Sequence, residues 1–174
     1  MVRYRRLRTA GATYFFTVAL RNRRADTLVS HIQELRQAIE RTRAVRPFDI
    51  DAMVVLPDHL HTVWTLPEGD SDYSARWRSI KSGFVRALRA GGMTLVANAK
   101  GEHSIWHRRF WEHQIRDEDD MQRHVDYIHI NPVKHALVQR VVDWPWSSFH
   151  RYVRDGLLFA DWVCAADAIN RFGE

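Results

Sequence analysis

The stretch Pro57-Asp58-His59-Leu60-His61-Thr62-Val63-Trp64 constrains this chain more than any other. It opens with turn chemistry and continues with the alternation of a β-strand. Successive side chains on a strand point to opposite faces, so His59 and His61 emerge on the same side. Leu60, Trp64 and Leu66 then line the other side, toward a core. Two imidazoles on one face, a strand repeat apart, can converge on one divalent metal ion. An isolated His-x-His pair is a weak signal, so it counts only if the chain also supplies a third ligand and a chemical partner.

The elements around that strand follow from periodicity. Thr13 to Leu20 is aromatic and β-branched and reads as a first strand. Asp26 can cap a helix carrying Leu28, Ile32, Leu35 and Ile39 at helical spacing, which runs to about Val45, before Pro47. Ile50 to Leu56 is a second strand and His59 to Leu66 a third, joined as a hairpin through Pro57-Asp58. Tyr73, Trp77, Ile80, Phe84 and Leu88 predict a second amphipathic helix closed by Gly91-Gly92, with Arg76, Arg78, Lys81, Arg86 and Arg89 on its polar side. A fourth strand is expected within Phe110–Ile115. The order β-α-β-β-α-β predicts an α+β, ferredoxin-like (RRM-like) four-stranded antiparallel sheet. Both helices would cover one face and leave the other free for a ligand.

Asp117 to Asp120 is a run of four acids that suits the first turn of a further helix, where carboxylates complement the dipole. Met121, Val125 and Ile128 form its apolar stripe, and His124, Tyr127 and Asn131 share a neighbouring face. Pro132 is expected to end it, placing Asn131 in its last turn. His59, His61 and Asn131 together offer two imidazole nitrogens and an amide oxygen, a set suited to Mg²⁺ or Mn²⁺ rather than to structural zinc. Tyr127 would lie beside that ion and could attack a phosphate to form a covalent link.

Composition narrows the partner. At 174 residues, 45% hydrophobic and 27% charged, the chain is expected to form one globular domain. A basic arm is expected at 1–12, a catalytic core at 13–131 and a C-terminal extension at 132–174. No apolar run is long enough to span a bilayer, no secretory signal opens the chain, and Cys164 is the lone cysteine. A cytoplasmic location is expected. Lysine and arginine total 26 against 21 acids, and no acid precedes Asp26, whereas Arg3, Arg5, Arg6, Arg8, Arg21, Arg23 and Arg24 do. That asymmetry is the footprint of a nucleic-acid binder, and arginine grips phosphate in bidentate fashion.

The segments Leu56–Trp64, Phe110–Asp120, Val125–Val138 and Asp143–Tyr152 occur in an order that resembles the single-tyrosine HUH transposases, above all their REP-associated branch. The resemblance implies that His59 and His61 bind the metal, that Tyr127 is the nucleophile and that Asn131 completes the metal site. It further implies cleavage and transfer of single-stranded DNA at palindromic REP-type hairpins, through a 5′-phosphotyrosine and a free 3′-OH, without ATP. Arg3, Arg5, Arg6, Arg8, Arg108 and Arg109 are the candidates for phosphate contact. Insertion-sequence relatives act as dimers and the REP-associated branch as monomers, so both states stay open.

Two other readings compete. A metal-dependent hydrolase would leave Tyr127 incidental, but His61 is followed by Thr62-Val63-Trp64 and not by a metallo-β-lactamase pattern. A catalytically silent hairpin-binding module, for DNA or RNA, would use the same sheet and basic surface. Trp144 and Trp146 read as a clasp over the sheet, His129 as a bystander on another helix face, and His103, His107, His113 and His135 show no ligand spacing.

Overall fold

The computed structural model describes residues 8–95 and 105–163. Arg3, Arg5 and Arg6 of the expected arm, and the end of the expected extension, lie outside the described residues. Strands β1 (Thr13–Ala19), β2 (Asp49–Val55), β3 (His59–Thr65) and β4 (Trp111–Gln114) form one sheet in the order β2-β3-β1-β4, every pairing antiparallel. This is the ferredoxin-like α+β arrangement. The two-residue turn Pro57-Asp58 is closed by the Leu56 N–H donating to the His59 carbonyl at 2.8 Å.

Helices α2 (Ile32–Val45) and α3 (Tyr73–Ala90) cover one face. Leu35 and Ile39 meet Trp77, Ile80, Phe84 and Leu88 over Tyr14, Phe16, Val18, Leu60 and Trp64 of the sheet. Trp64 and Trp77 stack with ring centroids 4.1 Å apart. Each such buried side chain stabilises the fold by about 1.5–3 kcal/mol. Asp72 caps α3 by accepting from the Ala75 N–H, and Gly92, at φ +87°, ends it. There the Met93 N–H reaches the Leu88 carbonyl and the Gly92 N–H the Arg89 carbonyl, a closure that needs a left-handed residue.

Three local expectations change. The first helix is split into α1 (Thr27–Ser30) and α2 at His31, because the Leu28 N–H is drawn to the Pro57 carbonyl and Leu28 is buried beside the hairpin. Asp26 makes no side-chain cap. Arg76, placed by periodicity on the solvated side of α3, is 1% exposed. Its guanidinium donates to the Asp70 carboxylate at 2.8 Å and to the carbonyls of Arg46, Pro47 and Asp72, so the buried charge is matched on all sides.

The opposite face of the sheet is not free. Helix α4 (Glu118–Lys134) lies across it, and Val125, Tyr127 and Ile128 pack on Phe15, Ala52, Val54 and Val63. The reason is in the strands themselves, since β3 is buried at every position but its last and so has no solvent face. Asp117 caps α4 from an extended backbone by accepting from the Asp120 N–H at 2.7 Å. The helix continues through Pro132 to Lys134, because Pro132 removes a single ladder bond near the end, and the His135 and Ala136 N–H groups still reach the Asn131 and Val133 carbonyls. Asn131 still opens the last turn, and the expected division between core and extension falls inside this helix.

Beyond it, residues 146–148 lie along the outer edge of β2. The Val55 N–H donates to the Trp146 carbonyl and the Ser148 N–H to the Met53 carbonyl, closing an otherwise open edge. Trp144 Nε1 donates to the Val55 carbonyl at 3.0 Å, the Tyr152 hydroxyl in helix α5 (Phe149–Arg154) donates to the Asp51 carbonyl, and Arg151 donates to Ile50 and Asp51 carbonyls. No helix among the described residues is long and apolar enough to cross a membrane.

Candidate active site

His59 and His61 leave β3 on the face covered by α4, and they are 2% and 1% exposed. Their rings meet edge to face at 4.9 Å. His59 Nδ1 lies 2.8 Å from Asp58 Oδ1. A carboxylate can only accept, so Nδ1 donates, which in the neutral ring leaves the lone pair on Nε2 for a metal. His61 Nδ1 lies 2.9 Å from Thr17 Oγ1, its direct cross-strand partner on β1, which can set the same tautomer.

Tyr127 faces this pair from α4. Its ring is 5.1 Å from that of His61 and 6.0 Å from that of Phe15, and it is 2% exposed. Asn131, one turn further along the same helix face, is fully buried. Its Nδ2 donates to the Tyr127 carbonyl at 3.2 Å, whereas Oδ1 has no hydrogen-bond partner among the described residues. A buried amide oxygen left this way costs about 1–3 kcal/mol, and a hard cation is the ligand it suits. The donor set of two imidazoles and one amide oxygen therefore fits a divalent cation.

Two neighbours escaped the sequence reading. The Lys134 ammonium is 3.4 Å from the Tyr127 hydroxyl oxygen and 4.9 Å from its ring. It sits beyond Pro132, where the helix was expected to have ended, although its spacing of seven from Tyr127 returns it to the same face. The His135 ring lies 5.1 Å from that of His59. Asp58, read as a turn residue, holds His59 and is itself paired with Arg23 at 2.9 Å.

A second polar cluster sits next to the site. His113, Asp120 and His124 bring potential ligand atoms within 4.8 Å of one another, a group able to hold a metal. Asp120 Oδ2 already takes bonds from His113 Nε2, the Arg116 N–H and Arg116 Nε. Burial opposes its ionisation, but these bonds outweigh that and hold the carboxyl well below the usual carboxylate range. Burial pushes the His124 pKa down, and its Nδ1 meets the Asp120 carbonyl at 2.7 Å. The two imidazoles lie nearly parallel at 4.8 Å, an arrangement of stacked rings and not of ligands aimed at one point. This cluster fixes β4 against the start of α4. Arg8, Arg108 and Arg109 are exposed, outside the buried centre.

Comparison with known proteins fits this geometry. No family model matches the chain. A REP-associated tyrosine transposase of Escherichia coli (strain K12) is 52% identical over 163 residues, covering 94% of this chain and 92% of that protein. The chain belongs to the REP-associated tyrosine transposases. It is thus an enzyme of the transposase class. A Haemophilus influenzae protein named for the same family is 44% identical over 164 residues, covering 93% of each. A solved structure of a REP-associated tyrosine transposase bound to a REP hairpin superposes with a TM-score of 0.86 at 49% identity, over 99% of this chain and 95% of that one.

Proposed function

We propose that this transposase cleaves and rejoins single-stranded DNA at REP-type palindromic hairpins, with Tyr127 as the nucleophile. The observation that carries the reading is the convergence of Tyr127 on the His59–His61 pair, with the Oδ1 of Asn131 buried one helical turn along from Tyr127. The hairpin as substrate is supported by the related transposase solved on a REP hairpin. His59, His61 and Asn131 are the residues that would hold Mg²⁺ or Mn²⁺. Such an ion neutralises charge on the scissile phosphate and orients it.

The chain's own groups account for the rest. Tyr127 Oη forms a bond to phosphorus as the P–O3′ bond breaks. The phenolic proton is lost to solvent, and the electron pair leaves on the 3′ oxygen, which takes up a proton to become a free 3′-OH. The product is a 5′-phosphotyrosine, and attack by a 3′-OH reverses the step, so no nucleotide triphosphate is consumed. Lys134, against the Tyr127 oxygen, stabilises the negative charge that atom carries on attack and on departure. Asp58 and Thr17 hold the imidazoles, and the packing of Phe15 and Val63 around the tyrosine keeps its rotamer fixed. Exposed Arg8, Arg108 and Arg109 are the candidates to meet phosphates, which would make binding salt-dependent.

A denaturing gel with labelled hairpin oligonucleotides tests this. A slow-migrating covalent adduct is expected with Mg²⁺ or Mn²⁺, and it is lost in Tyr127→Phe, in His59→Ala/His61→Ala and on chelation. Cleavage that survives Tyr127→Phe would leave a plain nuclease. Tight hairpin binding with no adduct or cleavage would leave a silent binder.

A further inference from the structure

Trp111 is a large side chain with no core role. It opens β4, an edge strand, and is 51% exposed. It pairs directly with Thr17 of β1, which pairs directly with His61 of β3, so the three side chains stand in one row on the α4 face. Two strand spacings, about 10 Å, separate Trp111 from the histidine pair. Its indole is parallel to His113 within 6° at 5.9 Å, and Phe15 meets it edge-on at 5.6 Å. His113 is in turn backed by His124 and anchored on Asp120. The ring is thus propped from beneath by a built support, while half of it faces solvent.

Its surroundings identify the occupant. Exposed Arg108 and Arg109 shortly precede it in the chain, so cations lie beside it in sequence at the start of the strand. A protein-docking hot spot sits in a well-packed, desolvated pocket, whereas a half-exposed aromatic beside cations is the kind of platform on which single-stranded nucleic acid stacks.

We propose that Trp111 stacks an unpaired base of the single-stranded DNA next to the scissile phosphate, with Arg108 and Arg109 on adjoining phosphates. This rests on the reading of the chain as acting on single-stranded DNA. The platform is independent of base identity, since every base has a π-face, and it would hold the strand in line with Tyr127.

The test is an abasic walk. The REP hairpin of the related complex, extended by single-stranded flanks, is made with one abasic nucleotide at each flank position, and binding to the full chain is read by fluorescence anisotropy. Wild type should lose about 5- to 150-fold in affinity at one flank position, the range expected for one stacked base. Trp111→Ala should lose a similar factor on intact DNA and nothing more at that position, while Trp111→Phe keeps most of the affinity. Thermal unfolding of Trp111→Ala checks that the sheet is intact. Full affinity in a folded Trp111→Ala, an undiminished abasic penalty in that variant, or a change in its oligomeric mass in place of its DNA affinity would overturn the proposal. Adduct formation by wild type on the same oligonucleotides separates the two readings. Adduct without Trp111 coupling sinks only the stacking; no binding to any hairpin sinks both.

Discussion

His129 makes the folding of this chain sensitive to mild acid. It is fully buried on the side of α4 away from Tyr127, against the rings of Phe149, Tyr152 and Trp162. Ser148 Oγ accepts from the Met53 N–H at 3.0 Å and shares a hydrogen bond with His129 Nε2 at 3.0 Å, while Nδ1 finds no partner among the described residues. Burial, and then the charge of Arg151, pushes the His129 pKa down to about 3. In the unfolded chain it titrates near 6.5. Between those values the unfolded state binds a proton that the folded state refuses, so stability is fully present above about 6.5 and falls with pH at about 1.4 kcal/mol per unit. From pH 7 to pH 5 the loss from this residue is about 2 kcal/mol, and it hardly depends on how far below 5 the folded pKa lies. Urea unfolding across that range should show wild type losing about 2 kcal/mol more than His129→Gln, which keeps a neutral hydrogen-bonding group for Ser148. Parallel curves for the two proteins would refute the argument.

Other outcomes follow from the same contacts. Asp58→Ala removes the carboxylate that orients His59 and should weaken Mn²⁺ binding about 10- to 100-fold by calorimetry; unchanged affinity would detach His59 from any metal. Lys134→Met should slow adduct formation on the order of 100-fold with hairpin affinity unchanged, and equal rates would remove Lys134 from the chemistry. Arg76→Leu strips partners from Asp70 and from three backbone carbonyls, and urea midpoints should report a loss of about 3–5 kcal/mol.

The sheet and its histidine pair were legible because alternation specifies which residues share a face. Leu60, Trp64 and Leu66 went to one core and His59 with His61 to the other side, as their spacing requires. Cross-strand register was not legible, so Thr17 could not be named as the partner of His61 nor Trp111 as its neighbour two strands away. The position of α4 over the second face was hidden for a different reason. Two amphipathic helices already satisfied one face, and the clue that the other was apolar too lay in Phe15, Val54 and Val63, at strand positions opposite in parity to the main core. Pro132 misled because a helix-breaking residue near an end costs a single bond, which packing against Val141 and Phe149 around Ile130 outweighs. Of the four acids, the cap was readable. The burial of Asp120 was not, because it depends on His113, brought in by the sheet.

The central claim is that Tyr127 itself carries the DNA, and mapping the adduct by mass spectrometry tests it most directly. The protein is reacted with a hairpin oligonucleotide, digested with nuclease and protease, and the modified peptide is sequenced. A nucleotide 5′-phosphate on Tyr127 is the predicted result; the modification on any other residue, or its persistence in Tyr127→Phe, would contradict the account.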